Sequence, residues 1–447
     1  MQQRVSKCIK MYEESTMEFY EVKPAAHPLK CKTEVPGSKS VTNRALLLAA
    51  LADGVTTLKG VLYSDDAHYF LESLKTLGFA VEDDPDTCTI RLTGEGGRVP
   101  AKEAEIYVGS AGTAARFLTA YLGVSDGTYT IRASEQMAKR PMQPLFDVLE
   151  QLGAQITWLG REGFLPVTIR GAAVTNRQDA CEIQLDISRS TQFLSAFLLI
   201  APLFRGGLKI RIGSDKKDGA YVRITRQMLS SFGVEARQGK QGYETAPGTV
   251  LRTPGIYEIE PDMSAACYFY AAAALLGGTM IVERVHPDMM QGDLKFLEVL
   301  AKIGCRYRDT KEGIILQGPA DRQLAGISLN MNDFSDQALT LAAIAPYASG
   351  PVEIAGIAHI RGQECDRIRA MEENLTAAGI RCKSYDDGIR IEPGTPHACR
   401  IRTFDDHRVA MAFSLLGLKT EGICIENPLC CRKTFPDYFE KFERLYE

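Results

Sequence analysis

The chain has 447 residues, 45% hydrophobic and 24% charged, a globular composition with length for two to four domains. Fifty-two Lys and Arg against 56 Asp and Glu leave a net charge of −4, which speaks against a nucleic-acid binder built on basic excess. No apolar run reaches the roughly 18 residues of a membrane span, no apolar segment marks a signal peptide, and the 12 Cys lack metal-ligand spacing. A cytoplasmic protein with reduced thiols, no metal, no membrane partner and no nucleic-acid partner is expected.

A degenerate repeat of about 75 residues organises the chain. In chain order, an Ala- and Leu-rich helix recurs ahead of Gly54, Gly127, Gly207, Gly278, Gly350 and Gly422. A strand-like run follows each, at 56–58, 128–131, 208–212, 279–282, 352–354 and 423–425. These helices are apolar on nearly all faces, which predicts burial inside the unit. A second, amphipathic helix ends at Gly78, Gly153, Gly233, Gly304 and Gly379, where a left-handed C-terminal glycine belongs. A sixth such helix is expected over residues 435–446. The pattern predicts an α/β protein of six units, each with two helices and three or four short strands.

The N-termini of the apolar helices carry the chemistry. The first three read Ser38-Lys39-Ser40, Ser110-Ala111-Gly112-Thr113 and Ser188-Arg189-Ser190-Thr191. The last three read Asp262-Met263-Ser264, Ser335-Asp336 and Asp405-Asp406-His407-Arg408. Free N–H groups and the helix dipole favour anions there, and hydroxyls and cations strengthen the effect. Half of the protein therefore reads as anion-holding, and the other half presents carboxylates that could serve as bases. Helix capping also explains Ser, Thr and Asp at such positions, but not the neighbouring Lys39, Arg44, Arg116 and Arg408.

Five segments together resemble the 5-enolpyruvylshikimate-3-phosphate synthase family. They are Pro36-Gly37-Ser38-Lys39-Ser40-Val41-Thr42-Asn43-Arg44, Gly109-Ser110-Ala111-Gly112-Thr113-Ala114-Ala115-Arg116, Lys139-Arg140-Pro141, Asp406-His407-Arg408-Val409-Ala410-Met411 and Lys433-Thr434-Phe435-Pro436-Asp437-Tyr438. The resemblance runs from about Phe19 to the C-terminus and leaves residues 1–16 as an expected flexible extension. It implies the two-domain enolpyruvyl transferase fold with three units per domain. Residues 38–260 would form one domain, inserted into another made of 1–37 and 261–447.

The implied reaction transfers the enolpyruvyl group of phosphoenolpyruvate to the 5-hydroxyl of shikimate 3-phosphate. It is an addition–elimination with no cofactor, carried out by a monomer on two small-molecule substrates. By resemblance, Asp336 is the base, Glu364 transfers the proton at the methylene carbon, and Lys39 contacts both substrates. Shikimate 3-phosphate is expected at Lys39, Ser40, Arg44, Ser190, Thr191, Gln192, Tyr221, Asp336, His359 and Gln363. Phosphoenolpyruvate is expected at Lys39, Gly112, Arg140, Gln192, Arg367, Arg408 and Lys433. The chain departs from the family pattern at Gln363, where most members have Lys, at His359, where many have Asn, and at Phe117, where one large subgroup has Pro. If Gln363 only weakens a cation contact, it raises the KM for phosphoenolpyruvate, and Gln363→Lys lowers it. Two other readings stay open. One is the sibling transferase acting on UDP-N-acetylglucosamine, which commonly uses a loop Cys as acid. The other is a non-catalytic ligand-binding paralogue.

Overall fold

The structure is a computed structural model that describes residues 18–188, 190–213 and 219–446. The segment 1–16, expected as an extension, lies outside the described residues, as does Arg189.

Each unit is built around one buried helix: Lys39–Leu51, Gly112–Val124, Gln192–Ile200, Met263–Leu276, Ala338–Ile344 and His407–Gly417. Gly112–Val124 and Met263–Leu276 are buried at every residue. A helix with no polar face must be surrounded. The first three of these helices touch one another, and so do the last three. The outer helices Asp65–Thr76, Gln143–Gln151, Ala220–Ser231, Lys295–Lys302 and Arg367–Ala377 are followed by the expected glycines, all at positive φ. The sixth outer helix departs from expectation. It spans only Tyr438–Glu443, with a 3-10 turn at Arg444–Tyr446 after it. Pro436 disfavours helical backbone at Phe435, so the helix cannot begin there.

Six small sheets complete the units. In the second unit, Glu103–Tyr107 runs parallel to Thr128–Arg132, which pairs antiparallel with the hairpin of Val167–Arg170 and Gln155–Trp158. Two units take their first strand from distant sequence. Asp53–Lys59 pairs in parallel with Ile256–Glu258, and Gly278–Val282 with Leu29–Thr33. The sixth sheet has three strands, because Phe19–Val22 stands in the place of a hairpin beside Ile423–Glu426.

The buried apolar side chains form two clusters. One runs from Val41 to Ile259, and the other joins Val22, Leu29 and Val35 to residues between Met263 and Leu445. The chain passes between them twice, along adjacent stretches. Ser38 N–H donates to the Glu260 carbonyl and Asp262 N–H to the Pro36 carbonyl, each at 2.8 Å. We propose that these clusters are two domains, with boundaries at 37/38 and 260/261. Among the described residues no helix is long and apolar enough to cross a membrane.

The strand Ile315–Gly318 ends directly on the helix Met263–Leu276. A Cβ on Gly318 would overlap the Ala273 carbonyl oxygen, which belongs to helix backbone and cannot rotate away. Gly318→Ala is expected to lower the unfolding free energy by about 1–3 kcal/mol, seen as a lower urea midpoint. An unchanged midpoint would show that this contact yields freely.

Candidate active site

The N-termini of all six buried helices meet at one cavity between the two clusters. Its lining includes Lys39, Ser40, Gly112, Thr113, Gln192, Ser264, Ala265, Asp336, His407 and Arg408. The helix ends differ in how their N–H groups are satisfied. The side chain of Asp262 accepts from Ser264 and Ala265 N–H, and Asp406 accepts from Arg408 N–H. Two of the three carboxylates that could have been bases are thus helix caps. The capping positions Ser38 and Ala111 make no side-chain cap bond, so the first two helices keep their leading N–H groups for the cavity, whereas the third helix has its first N–H, that of Gln192, bonded to Ser190 Oγ.

The wall built from the first three units is cationic. Arg44 is buried, and its guanidinium donates to Thr225 Oγ1 at 2.8 Å, to the Ser40 carbonyl at 2.9 Å, and to Ser195 Oγ and the Tyr221 carbonyl at 3.3 Å. Phe117 is fully buried with its ring 5.2 Å from the Arg44 guanidinium, so this departure from the family pattern forms a platform under a site cation. Arg116 donates to Gln192 Oε1 at 2.5 Å, and Arg140 converges on the same place beside Gly112. A Cβ on Gly112 would sit 2.8 Å from Nη1 of both arginines. Among the described residues none of these three arginines forms a direct ion pair with a carboxylate, although Arg116 and Arg140 lie near enough to Glu364 to feel its charge. Burial pushes Arg44 down to about 10, and burial with Arg140 nearby pushes Arg116 well down. Lys39 does have a partner, with Nζ 3.2 Å from Asp66 Oδ2.

The opposite wall is organised by Arg367, which opens the helix Arg367–Ala377 and is 1% exposed. Its Nε and Nη2 donate to Asp406 at 2.8 and 3.3 Å, and Nη2 also donates to Glu364 Oε2 at 2.9 Å. Nη1 donates to Asp336 Oδ1 at 2.9 Å and to Gln363 Oε1 at 2.6 Å. All five guanidinium N–H groups are therefore engaged within the protein. Asp336 also meets Arg408 Nη2 at 3.1 Å and accepts from Tyr221 O–H at 2.7 Å, a bond that crosses the cavity between the two clusters. Burial would raise the Asp336 pKa, but Arg408 and Arg367 outweigh it and hold the carboxyl below its usual range. Burial likewise acts against ionised Glu364, and Lys433, Arg367 and Arg140 hold it well below the usual range.

Of the residues expected at the site, all but Lys433 line the cavity. Lys433 lies behind Glu364, with Nζ 3.4 Å from Oε1. Ser190 Oγ accepts from Gln192 N–H at 3.2 Å, and His359 Nε2 lies 2.8 Å from Ser335 Oγ. Thr191 and Gln363 border the same space.

The expected set omitted Arg116, Asp66, Asp293 and His407, which also line the cavity. Arg116 was legible four residues after Gly112, on the same helix face. His407 is buried, and among the described residues neither ring nitrogen has a hydrogen-bond partner; burial and Lys39 hold it well below its usual pKa. Asp293 bonds Ser264 Oγ and is pushed up to about 7 by burial and Asp336. No spacing in the sequence connects Asp293 to Asp336. Among the described residues no cluster of His, Cys, Asp and Glu could hold a metal ion.

The family described as EPSP synthase (3-phosphoshikimate 1-carboxyvinyltransferase) matches residues 24–442. A protein of Trichormus variabilis named 3-phosphoshikimate 1-carboxyvinyltransferase is 40% identical over 96% of this chain and 99% of its own length. A protein of Nostoc punctiforme with the same name is 39% identical over 96% of this chain and all of its own length. A solved structure of EPSP synthase from Acinetobacter baumannii superimposes with a TM-score of 0.78 at 28% identity, covering 95% of this chain and 97% of that one. The chain belongs to the EPSP synthase family.

The unpaired arginines make the first wall an anion site that can be tested without substrates. Inorganic phosphate is expected to raise the thermal unfolding midpoint by binding the folded state. In Gly112→Ala the added methyl displaces Arg116 and Arg140, so the apparent phosphate affinity should fall by about tenfold. Equal phosphate responses in the two proteins would place the anion elsewhere.

Proposed function

We propose that this member of the EPSP synthase family transfers the enolpyruvyl group of phosphoenolpyruvate to the 5-hydroxyl of shikimate 3-phosphate, releasing phosphate. The step belongs to the shikimate pathway of aromatic amino-acid biosynthesis. We further infer a cytoplasmic monomer acting on these two small molecules, with no cofactor and no nucleic-acid partner. One observation carries the reading. Asp336 and Glu364 are held by one guanidinium, facing a wall whose arginines form no carboxylate ion pair among the described residues.

Both substrates bear a phosphate and a carboxylate, and the cavity offers cations to match them. Arg44, Ser40, Ser190, Thr191 and Gln192 would hold shikimate 3-phosphate, with Tyr221, His359 and Gln363 around it. Arg140, Arg408, Lys433 and the open helix end at Gly112 would hold phosphoenolpyruvate, with Gln192 and Lys39 reaching both substrates. Arg367 was expected to grip phosphoenolpyruvate directly. With its five N–H groups engaged, it would first have to release one of its partners.

Asp336, kept ionised by Arg408 and Arg367, accepts the proton of the 5-hydroxyl as that oxygen attacks the central carbon of phosphoenolpyruvate. Tyr221 O–H donates to the oxygen that this hydroxyl would approach. Glu364 delivers a proton to the methylene carbon, giving a tetrahedral intermediate. It then takes a proton back from the resulting methyl group as phosphate leaves carrying the proton that Asp336 had accepted, which restores the double bond and both carboxyl groups. Glu364 is held ionised by its cations, so it needs a proton before it can act. Negative charge arriving beside Arg140 and Lys433 would raise its proton affinity.

The alternative sugar-nucleotide transferase commonly uses a Cys as acid. No Cys is among the described residues that line this cavity. The binding-protein alternative predicts ligand affinity without turnover. Phosphate release with both substrates present separates these readings. Asp336→Asn keeps the shape and removes the acceptor, so turnover should fall by roughly 10²–10⁴ while calorimetry still detects shikimate 3-phosphate binding. Near-normal turnover in this variant would remove Asp336 from the role of base.

A further inference from the structure

Asp293 is a buried carboxylate at the cavity that the proposed reaction leaves unused. It lies in the 3-10 turn Gly292–Leu294. Neighbouring bonds fix this turn in place. Gln291 Nε2 donates to the Pro261 carbonyl at 2.7 Å, its Oε1 accepts from Met263 N–H at 3.0 Å, and Met290 N–H donates to Glu260 Oε1 at 2.7 Å. The turn touches Asn332–Gln337, which carries Asp336, and a Cβ on Gly292 would lie 3.1 Å from the Asp333 carbonyl oxygen. Asp293 and Asp336 are therefore held on adjoining turns, each within range of the other's charge.

The two carboxylates differ in their partners. Asp336 has Arg367 Nη1 at 2.9 Å, Arg408 Nη2 at 3.1 Å and Tyr221 O–H at 2.7 Å. Asp293 has one neutral donor, the hydroxyl of Ser264, and forms no ion pair among the described residues. The charged groups that act on it are Asp336, Asp262 at the head of Met263–Leu276, and Arg408 on His407–Gly417. Tyr221, on Ala220–Ser231, and Cys267, on Met263–Leu276, also face it, and burial keeps both protonated. Lys295, two residues on, is taken by Asp333 at 2.6 Å. Arg408 is thus the cation that offsets Asp293, and it is already the ion-pair partner of Asp336.

When two neighbouring carboxylates lose a shared cation, one of them takes a proton. In the proposed reaction phosphoenolpyruvate draws Arg408 to its own charge. Asp336 then still has Arg367, while Asp293 has only a hydroxyl. A proton entering this wall goes to Asp293, which burial and Asp336 already push up to about 7. A protonated carboxyl can donate to Ser264 Oγ, so the bond survives with its direction reversed.

We propose that Asp293 is a positioning residue that acts through Arg408: it takes a proton from solvent as phosphoenolpyruvate binds, which frees Arg408 for the substrate and leaves Asp336 ionised as the base. Asp293 returns the proton to solvent when the products leave and Arg408 faces the carboxylates again. The roles of phosphoenolpyruvate and Asp336 in this step rest on the proposed enolpyruvyl transfer.

The test is the pH dependence of the KM for phosphoenolpyruvate in the full chain and in Asp293→Asn. Raising the pH ionises Asp293 and restores its hold on Arg408, so the wild-type KM should rise at least about fivefold from about pH 7 to about pH 9. The substrate phosphate, with a second pKa of about 6, is already ionised over this range. Asn has no proton to lose, so the KM of Asp293→Asn should change by less than about twofold and should lie below the wild-type value at about pH 9. A merely structural loss would raise the KM at every pH. An equal rise in both proteins would overturn the inference, as would a higher KM in Asp293→Asn at about pH 9. If Asp293→Asn does not fold, Ser264→Ala takes its place. Losing that donor raises the proton affinity of Asp293, so the rise in KM should move up by about half a pH unit or more. An unmoved rise would overturn the inference.

A wild type with no turnover would count against the proposed function, not against the proton on Asp293. In that case the infrared band of protonated carboxyl groups in the free protein decides. At about pH 7 it should be weaker in Asp293→Asn than in the wild type. Equal bands would overturn the inference.

Discussion

Everything in this structure depends on six buried helices whose N-termini meet at one cavity. A helix that is apolar all round has no surface to give to water, so it must be wrapped on every side. Three such helices packed together need three sheets and three outer helices around them. The chain makes this arrangement twice, and the two sets of positive helix ends face each other. A cavity formed in this way has a positive field before any side chain is considered. The side chains at the helix ends decide what that field is used for.

The two walls use it differently. On the wall made by the first three units, the first two helices leave their leading N–H groups uncapped, and among the described residues Arg44, Arg116 and Arg140 form no ion pair with a carboxylate. Burial acts against the charge of Arg44 and Arg116 and pushes both below their usual range, so an anion placed beside them would offset that cost. On the other wall the counter-charge is built in. Asp262 and Asp406 close helix ends, and Arg367 joins three carboxylates in one bonded group. The first wall is suited to holding a ligand, the second to keeping reactive groups in place.

Much of this could be read in the sequence, because it was written in local signals. The recurrent glycines after the outer helices mark left-handed backbone, and all five proved to have it. The uniform Ala and Leu content of the inner helices announced their burial, and the N-terminal residues of all six supplied part of the cavity lining. What was not legible depends on distance along the chain. No local pattern shows that Ile256–Glu258 completes the sheet of Asp53–Lys59, or that Leu29–Thr33 completes the sheet of Gly278–Val282. Three acids at helix N-termini looked alike in the sequence. Only their geometry separates Asp262 and Asp406, which are bonded to their own helices, from Asp336, which is bonded to arginines and a tyrosine. Asp293 and the partners of Gln363 were invisible for the same reason.

The bond between Tyr221 and Asp336 links the two halves of the molecule. Tyr221 belongs to the anion-holding half and Asp336 to the acidic half, so the two walls are joined at the carboxylate proposed as base. In the proposed reaction, the Tyr221 hydroxyl occupies the oxygen that a substrate hydroxyl would approach. A substrate that displaces Tyr221 therefore replaces one donor by another, and Asp336 keeps its full set of partners throughout. The two donors differ in whether they can give up the proton. The phenol of Tyr221 is buried, and burial and Asp336 push its pKa well above its usual value, so it does not surrender its proton. A substrate hydroxyl surrenders its proton only as its oxygen forms a new bond. In the proposed reaction the same carboxylate would thus bond one hydroxyl across the cavity and accept a proton from another, because only the second would have an electrophile within reach.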